Sequence, residues 1–352
     1  MPEQSRVSKM SINRGNAPVA LVPTGPGQIK EDVQRAMQLA DWKKYISRGA
    51  NIALKPNLGW DKLIPGSISA PWVVEAVIEV IQGYVGKISI VESNQIVVDV
   101  EKVFRFTGLD EVCKRHNVEW VNMSKGKFTR VQDPSRFVLK DVYLPEILLR
   151  TELITLPVLK THNKTVITGA IKNQWGCLET LRHNFHLMLS DALVDVNHLV
   201  QPRFAVLDGT VGLEGDGPKS GRPKEMDVIL ASANLVGLDA TAARLMGFDP
   251  ELIPHLISCA ANGFGSITDG LNVVGGQVQD HLKPFIPAKH NMVSWLELSL
   301  RKSIVQWLVF QTPLLNLFAW GARRYYDLWD TLIGRGIRKR FLHRSKYKNQ
   351  WL

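Results

Sequence analysis

Short aliphatic runs alternate with helical patterns along most of this sequence, and this alternation limits its fold more than any other feature. Each run is followed by polar or glycine residues and then by apolar residues spaced three and four apart. Such alternation is typical of βαβ units, so we predict an α/β fold with a mostly parallel sheet flanked by helices. The predicted strands are 18–22, 51–54, 87–91, 153–158, 204–207 and 227–231.

Helices are predicted between these strands, over 71–84, 178–199, 236–246 and 250–262. Ser69 is placed to cap the first of them, and Pro71 suits a first helical turn. Residues 122–143 differ from the rest because they contain only short alternating stretches around a turn. They predict a small antiparallel excursion from the main sheet.

Polar side chains stand at the ends of four predicted strands. Ligands of open parallel sheets bind outside the carboxyl ends of the strands, where loops and helix N-termini converge. One lysine where a strand stops is ordinary, but four strands that end in this way predict a ligand site. The residues concerned are Lys55, Asn57, Glu92, Asn94, Lys160, His162 and Asp208.

The stretch 159–177 has the highest density of functional groups. Beyond Lys160 and His162 it contains Thr165, Lys172 and Asn173, which lead into a predicted helix. Lysines and hydroxyls beside a helix N-terminus favour an anion, so we predict a phosphate or carboxylate site. His162 is a candidate acid/base group, although a single histidine is more often structural.

The stretch 208–221 is rich in glycine and contains Asp208, Gly215, Gly217 and Glu214. Gly215 and Gly217 are candidates for close approach of the backbone to a ligand. Neither GxxxxGK[ST] nor GxGxxG occurs here, so the stretch is not a nucleotide-binding loop of either standard kind. Asp208 and Glu214 are candidate ligands of a divalent cation, and a lid or turn-rich loop is the alternative.

Cysteine usage limits the redox chemistry. The three cysteines lie far apart and form no CxxC pair, which excludes a disulfide framework and an iron–sulfur cluster held by this chain's own cysteines. The polar N-terminal segment lacks the apolar core of a signal peptide, so we expect a cytoplasmic location.

The ordered set of motifs resembles the prokaryotic domain-of-unknown-function family numbered 362 over about residues 50–262. The matching residues are Lys55-Pro56-Asn57, Glu92-Ser93, Lys160-Thr161-His162, Thr168-Gly169, Lys172-Asn173, Gly176, Asp208-Gly209, Glu214-Gly215, Gly217-Pro218 and Asp239-Ala240. The resemblance implies an α/β core and a shared pocket formed by these motifs. Some relatives resemble fusions to a ferredoxin module, which implies redox work, but this chain lacks the cysteines for such a module.

The net charge of +10 is concentrated in residues 286–352, called the tail below. The tail has twelve basic and three acidic residues and five of the ten tryptophans, so residues 1–285, called the body, are nearly neutral. Basic residues interleaved with aromatic ones are typical of a helix at the surface of anionic lipid. Nucleic acid is a less favoured partner, because phosphate binding requires no long uncharged stretch.

That uncharged stretch is 303–322, and its length would suffice to cross a hydrocarbon layer of ~30 Å. Gln306, Gln311 and Pro313 weaken the transmembrane interpretation. The sequence leaves open whether this stretch spans a membrane, inserts partway or packs against the body. We expect peripheral or monotopic attachment at the inner face of the membrane.

These observations predict an enzyme that binds an anionic small molecule at the strand ends, with an amphiphilic molecule as one candidate, and that catalyses proton or group transfer. Lys55, Lys160 and Lys172 would neutralise its charge, Asn57 and Asn173 would orient it, and His162 with Asp208 or Glu214 would handle protons or a divalent ion. Two alternatives stay open. One is an oxidoreductase component that takes electrons from an external donor, and the other is a non-catalytic membrane-associated binding or scaffold protein.

Overall fold

The structure, a computed structural model, describes residues 14–268, 270–289, 291–304 and 306–351, except for the side chains of residues 180, 181 and 183. The first thirteen residues, which carry most of the signal-peptide argument, lie outside this description.

The strands are β1 (Val19–Pro23), β2 (Ile52–Pro56), β3 (Ile88–Glu92), β4 (Glu119–Asn122), β5 (Phe128–Gln132), β6 (Asp141–Pro145), β7 (Glu152–Leu156), β8 (Val158–His162), β9 (Val166–Ile167), β10 (Phe204–Glu214), β11 (Arg222–Ser232) and β12 (Val273–Val274). The α-helices of the body are α1 (Ile29–Leu39), α2 (Pro71–Ile81), α3 (Val100–Phe106), α4 (Leu109–His116), α5 (Glu146–Arg150), α6 (Gly169–Asn173), α7 (Leu189–Val200), α8 (Leu235–Leu245), α9 (Pro254–Ala261) and α10 (Val278–His281). Those of the tail are α11 (Met292–Arg301), α12 (Gln306–Phe310), α13 (Leu314–Trp329) and α14 (Arg335–Arg344).

The main sheet has the strand order β12-β1-β11-β10-β7-β2-β3-β4. Strands β10, β7, β2, β3 and β4 are parallel to one another, and β11 is antiparallel to both of its neighbours. The prediction of a mostly parallel α/β sheet is therefore confirmed. The antiparallel excursion is also confirmed, as the separate hairpin of β5 and β6.

Helices cover both faces of the sheet, as the alternation of buried side chains along each strand requires. On β2, Ile52 and Leu54 belong to one apolar cluster, with α1 and α2, and Ala53 belongs to the other, with α7 and α8. Strand β2 is buried on both faces. A lysine at its end can therefore meet solvent or a ligand only through a cavity.

The predicted strand 153–158 is two strands, separated at Pro157, and both of them pair with β10. Proline has no N–H to donate to the ladder, so the chain shifts its pairing there and continues as β8. This break places Lys160 inside β8 rather than after a strand end.

The glycine-rich stretch 208–221 is half strand, over 208–214, and half turns, over 215–221, so the turn-rich alternative describes only its second half. Strand β10 continues to Glu214, and β11 pairs with it along most of that length. A Cβ on Gly212 would lie 2.8 Å from the carbonyl oxygen of Leu159, so this glycine permits the close approach of β8. The local density of glycine therefore reflects strand packing as well as turns.

Helix α2 begins at Pro71, as predicted, but Ser69 does not cap it. The Ser69 hydroxyl donates to the Leu156 carbonyl and accepts the Asn57 N–H. The N–H of Ala70, the residue before the helix, instead donates to Asp208 Oδ2 at 2.8 Å. Asp208 thus supplies the negative charge that a helix N-terminus favours.

The uncharged stretch 303–322 is divided between α12 and α13, with a turn at Gln311–Pro313 where proline interrupts the helix. No helix in the described ranges is long and apolar enough to cross a membrane. The tail packs onto the body, since Tyr326, Tyr347 and Trp351 are buried in the same apolar cluster as α1 and α2. Trp60 of the body contacts Tyr326 edge to face, with ring centroids 4.9 Å apart.

Candidate functional site

A cavity of about 590 Å³ lies where β2, β3 and β8 end. The body contributes its polar floor, and the tail contributes an apolar wall. Eight of the predicted site residues line it: Lys55, Asn57, Glu92, Lys160, His162, Lys172, Asn173 and Gly217. The cavity thus corresponds to the predicted site at the strand ends.

Lys55 and Glu92 form a buried ion pair in the floor, with Nζ 2.8 Å from Oε2. Both side chains are almost entirely inaccessible to solvent, at 1% and 4% exposure. The strands β2 and β3 are adjacent and parallel, so their ends present these two side chains side by side. Because Glu92 already neutralises Lys55, this lysine has little charge left for a ligand.

Asn57, Asn173 and Lys160 form a hydrogen-bonded network beside that pair. Asn57 donates to Asn173 Oδ1 at 3.0 Å, and its own Oδ1 accepts from Lys160 Nζ at 2.8 Å. Asn173 also donates to the Lys55 carbonyl and to Thr155 Oγ1. The two amides therefore hold the end of β2 against α6 and direct the ammonium of Lys160.

Three lysines of the floor have no carboxylate within ion-pair distance in the described parts of the chain. Lys160 donates to Asn57 and to the Ser67 carbonyl, Lys172 lies over the Trp175 ring, and Lys219 lies over Trp60 and Tyr326. Their nearest partners are consequently dipoles and aromatic faces, and carboxylates such as Glu92 and Asp61 act on Lys160 and Lys219 only from a greater distance.

The pKa values of these three lysines are lowered, as expected for buried ammonium groups without a carboxylate partner. Burial lowers the pKa of Lys160 to about 7, assisted by repulsion from Lys219 and Lys55. Burial likewise lowers the pKa of Lys219 to about 8 and that of Lys172 well below its ordinary value. A bound anion would reverse these shifts, because it would supply the missing negative charge.

Two further hydrogen-bond donors in the lining are buried without a partner in the described residues. They are the Thr168 hydroxyl and the indole N–H of Trp175. Buried polar groups are nearly always hydrogen-bonded, so unpartnered donors in a cavity wall favour a ligand with acceptor atoms.

His162 is neutral at physiological pH. Burial and the charges of Lys172, Lys164 and Lys160 hold its pKa well below the ordinary value. Its Nδ1 accepts the Lys164 N–H at 3.0 Å, which assigns the ring proton to Nε2. The imidazole is thus suited to donate a hydrogen bond, as a neutral electrophile does.

Glu297 of α11 brings a carboxylate from the tail to the edge of the cavity. Its two oxygens contact Lys164 Nζ, His186 Nδ1 and Arg301 Nε, the last two at 2.7 and 2.9 Å. Although burial raises the pKa of Glu297, His186 and Lys164 outweigh that effect and hold it far below its ordinary range. This cluster fastens α11 across the site.

Sequence reasoning missed Arg182, Lys219 and Glu297, all of which line the cavity. Arg182 donates to the carbonyls of Asn94 and Leu178, so it too has no carboxylate partner in the described chain. For Lys219 a signal was present, because it directly follows the Gly217-Pro218 motif. For Glu297 no local signal exists.

The lining is strongly cationic as a whole. It includes seven lysine and arginine side chains but only three carboxylates, those of Glu92, Asp216 and Glu297. Two of the three carboxylates are already held by basic groups of the lining. The remaining potential is positive, which predicts an anionic ligand.

Two glycines of the lining are required by close packing. A Cβ on Gly176 would lie 2.6 Å from Glu92 Oε1 and 2.8 Å from Lys55 Nζ. A Cβ on Gly217 would lie 2.1 Å from the carbonyl oxygen of Thr161. Any side chain at Gly176 would therefore displace the Lys55–Glu92 pair.

Three predicted ligand-binding residues do not line the cavity. Asn94 accepts the Val100 N–H with its side chain and the Arg182 guanidinium with its carbonyl. The Thr165 hydroxyl donates to the Ile167 carbonyl, and Gly215 occupies a turn with φ of 79°. These residues shape the surrounding loops and do not form part of the cavity wall.

The structure does not bring Asp208 and Glu214 together as a cation site or with His162. Asp208 is buried inside β10, where it accepts the Ala70 and Thr210 N–H groups and the Thr210 hydroxyl. Glu214, at the end of the same strand, contacts Lys224 Nζ at 3.0 Å. The described residues contain no group of three or more His, Cys, Asp and Glu side chains that could hold a metal ion.

Comparison with known proteins places these motifs in a wider context. The family model described as "Domain of unknown function (DUF362)" matches residues 52–244, which include β2, β3, β8 and most of the cavity floor. A thylakoid-associated protein of Synechocystis sp. is 26% identical over 222 residues, which cover 60% of this chain and 68% of the relative. The tail lies outside the family match.

Proposed function

This chain belongs to the DUF362 family, and from that premise we propose that it is an enzyme that binds an anionic small molecule, a phosphate or a carboxylate, in the strand-end cavity. The observation that carries the proposal is the set of three lysines, Lys160, Lys172 and Lys219, that face the cavity without a carboxylate partner in the described chain. Such charges are costly to bury unless a ligand compensates them.

The proposed chemistry is proton transfer on the bound anion. Burial lowers the pKa of Lys160 to about 7 before the anion binds, so the bound anion keeps this lysine protonated and Lys160 can then donate its proton to the substrate. His162, neutral and protonated on Nε2, would donate a hydrogen bond to negative charge that develops on the substrate. Asp208 and Glu214 have no part in this scheme, because their contacts lie elsewhere.

Substitution of Lys172 by methionine tests the proposal. We expect the affinity for inorganic phosphate and for sulfate to fall by roughly tenfold to a hundredfold, which is the range for loss of one charged hydrogen bond. Stability should stay equal or increase, because the ammonium that is removed lies only against the Trp175 ring. Isothermal titration calorimetry and thermal unfolding measure the two quantities.

Lys114→Met is the matched control, since Lys114 is an exposed lysine whose only ion pair is with Glu111 on the surface. It should bind both anions like the wild type. Equal affinities in the wild type and the Lys172→Met variant would contradict the proposal.

Anion binding should also weaken as the pH rises. Sulfate keeps the same charge throughout, so the pH dependence comes from Lys160 and Lys219, whose pKa values are about 7 and 8. Below pH 7 both lysines are mostly protonated before sulfate binds. Above their pKa values they are mostly neutral, so sulfate binding requires them to take up protons. We expect the affinity to fall by roughly tenfold to a hundredfold between about pH 6.5 and 8.5. A calorimetric affinity that is constant over this range would rule out a role for these two lysines.

We propose further that the tail attaches the protein peripherally to the cytoplasmic face of a membrane. Large apolar side chains on it are exposed, among them Trp295, Ile304, Trp307 and Leu332, and they lie among many basic residues. This combination is typical of an interfacial attachment to anionic lipid. The thylakoid association of the Synechocystis relative supports the same proposal.

Sedimentation with lipid vesicles tests the attachment. We expect binding to vesicles with phosphatidylglycerol but not to pure phosphatidylcholine, and about tenfold weaker binding for Trp307→Glu because an apolar anchor is lost. Leu252→Glu, which changes an even more exposed apolar residue of the body, should bind like the wild type. Complete release by salt without detergent would contradict insertion of apolar side chains.

A further inference from the structure

The apolar wall of the cavity is also its opening to solvent. Leu317, Phe318 and Trp320 of α13 line the cavity and are nevertheless 61%, 38% and 57% exposed. Residues that both line a cavity and face solvent mark its mouth. The mouth is therefore formed largely by apolar side chains of the tail, with Asp216 of the body as its charged member, whereas the cationic groups lie at the floor.

This arrangement is the reverse of what a small hydrophilic anion requires. A cationic entrance would steer such an anion to its site, whereas an apolar entrance contributes nothing to its binding. An apolar channel that ends in a cationic floor instead complements a molecule with a charged head and a hydrocarbon chain. The cavity volume of about 590 Å³ lies within the range of sites for molecules of that size.

The surroundings of the mouth indicate where the chain of such a ligand would lie. Trp320 is contacted by Arg324, whose guanidinium carbon lies 5.8 Å from the ring centroid, and Arg323 precedes Arg324 on the same helix. Tryptophan and arginine are residues that occur at the boundary between lipid head groups and hydrocarbon. The residues at the mouth are therefore of the types that occur at a membrane interface.

We infer that the ligand is a single-chain membrane amphiphile with a phosphate or carboxylate head. Its head lies among Lys160, Lys172 and Lys219, and its chain passes along Phe310, Leu317 and Trp320 to the mouth. Electrostatic attraction holds the head and hydrophobic burial holds the chain, and the ligand reaches the site from the bilayer. This inference rests on the proposed anion site and assigns the class of its ligand.

A chain-length series tests it. Inorganic phosphate and butyl, hexyl and octyl phosphate, all below their micelle concentrations, are titrated into the full chain. We expect the affinity to increase by up to roughly fourfold for each added methylene group, the value for complete burial, until the chain passes the mouth. Leu317→Asp should remove most of this gain, whereas inorganic phosphate, which has no chain, should lose much less affinity than octyl phosphate.

Leu328→Asp is the matched control, because Leu328 lies on the same helix, is 59% exposed and does not line the cavity. It should retain the full dependence on chain length. Phosphate binding without any chain-length gain, or an equal gain in both variants, would overturn the inference and leave the proposed function standing. No binding of any phosphate would overturn both.

Discussion

Replacement of Lys55 by methionine is expected to lower the free energy of unfolding by about 3–5 kcal/mol, the cost of removing one partner of a buried ion pair. The loss arises because the Glu92 carboxylate, only 4% exposed, would lose the ammonium that compensates it. The Glu92 carboxylate also accepts the N–H groups of Ser93 and Leu58, which replace only part of the lost interaction. Urea unfolding followed by tryptophan fluorescence measures the change.

The double variant Lys55→Met, Glu92→Leu tests whether the unpaired carboxylate causes the loss. Because it removes both charges, it should recover most of the lost stability, as replacement of a complete buried pair by apolar residues often does. Lys30→Met provides the surface control, since Lys30 forms an exposed pair with Glu79 and should change stability by less than about 1 kcal/mol. If the double variant were no more stable than Lys55→Met, an unpaired charge would not be the cause of the loss.

Replacement of Trp60 by alanine is the second change for which we expect a large loss of stability. This residue lies at the junction between body and tail. Trp60 is fully buried, contacts Tyr326 edge to face and lies near Trp329 and beneath the ammonium of Lys219. Loss of a buried tryptophan costs about 3–5 kcal/mol, because both the transfer free energy and the cavity contribute. We expect that loss in urea unfolding, together with faster proteolysis of the tail in the native protein.

Trp307→Ala is the matched control, since Trp307 lies in the tail but is exposed. It should leave the free energy of unfolding within about 0.5 kcal/mol of the wild type and the proteolysis rate unchanged. A tail that is cleaved at the same rate in Trp60→Ala and in the wild type would show that this contact does not hold the tail in place.

Local sequence patterns were sufficient to predict the main α/β architecture. Short aliphatic runs followed by helical periodicity predict parallel strands, and the carboxyl ends of parallel strands meet at one edge of a sheet. For this reason Lys55 and Glu92, whose strands are adjacent in the sheet, could be assigned to one site before their contact was known. Lys172 and Asn173 were predicted from the density of functional groups in 159–177, and the structure places them on the short helix α6.

The errors have a common cause, which is that a polar residue in a strand-end motif does not reveal its partner. Asp208 satisfies the N–H groups of Ala70 and Thr210, and Ala70 is 138 residues away in the chain. The glycines of 208–221 indicated turns, but Gly212 instead permits close packing of β8 on β10. Local composition carries no information on which neighbouring strand approaches.

The sequence alone determined the α/β class, the strand-end position of the site and the separation of a nearly neutral body from a basic, aromatic tail, because each follows from periodicity or charge within short stretches. Only the tertiary structure decided that the tail forms one wall of the cavity and its mouth. Glu297 contacts Lys164 across 133 residues of chain, and the apolar mouth comes from α13. Such contacts depend on how distant segments pack together, and no local pattern specifies that packing.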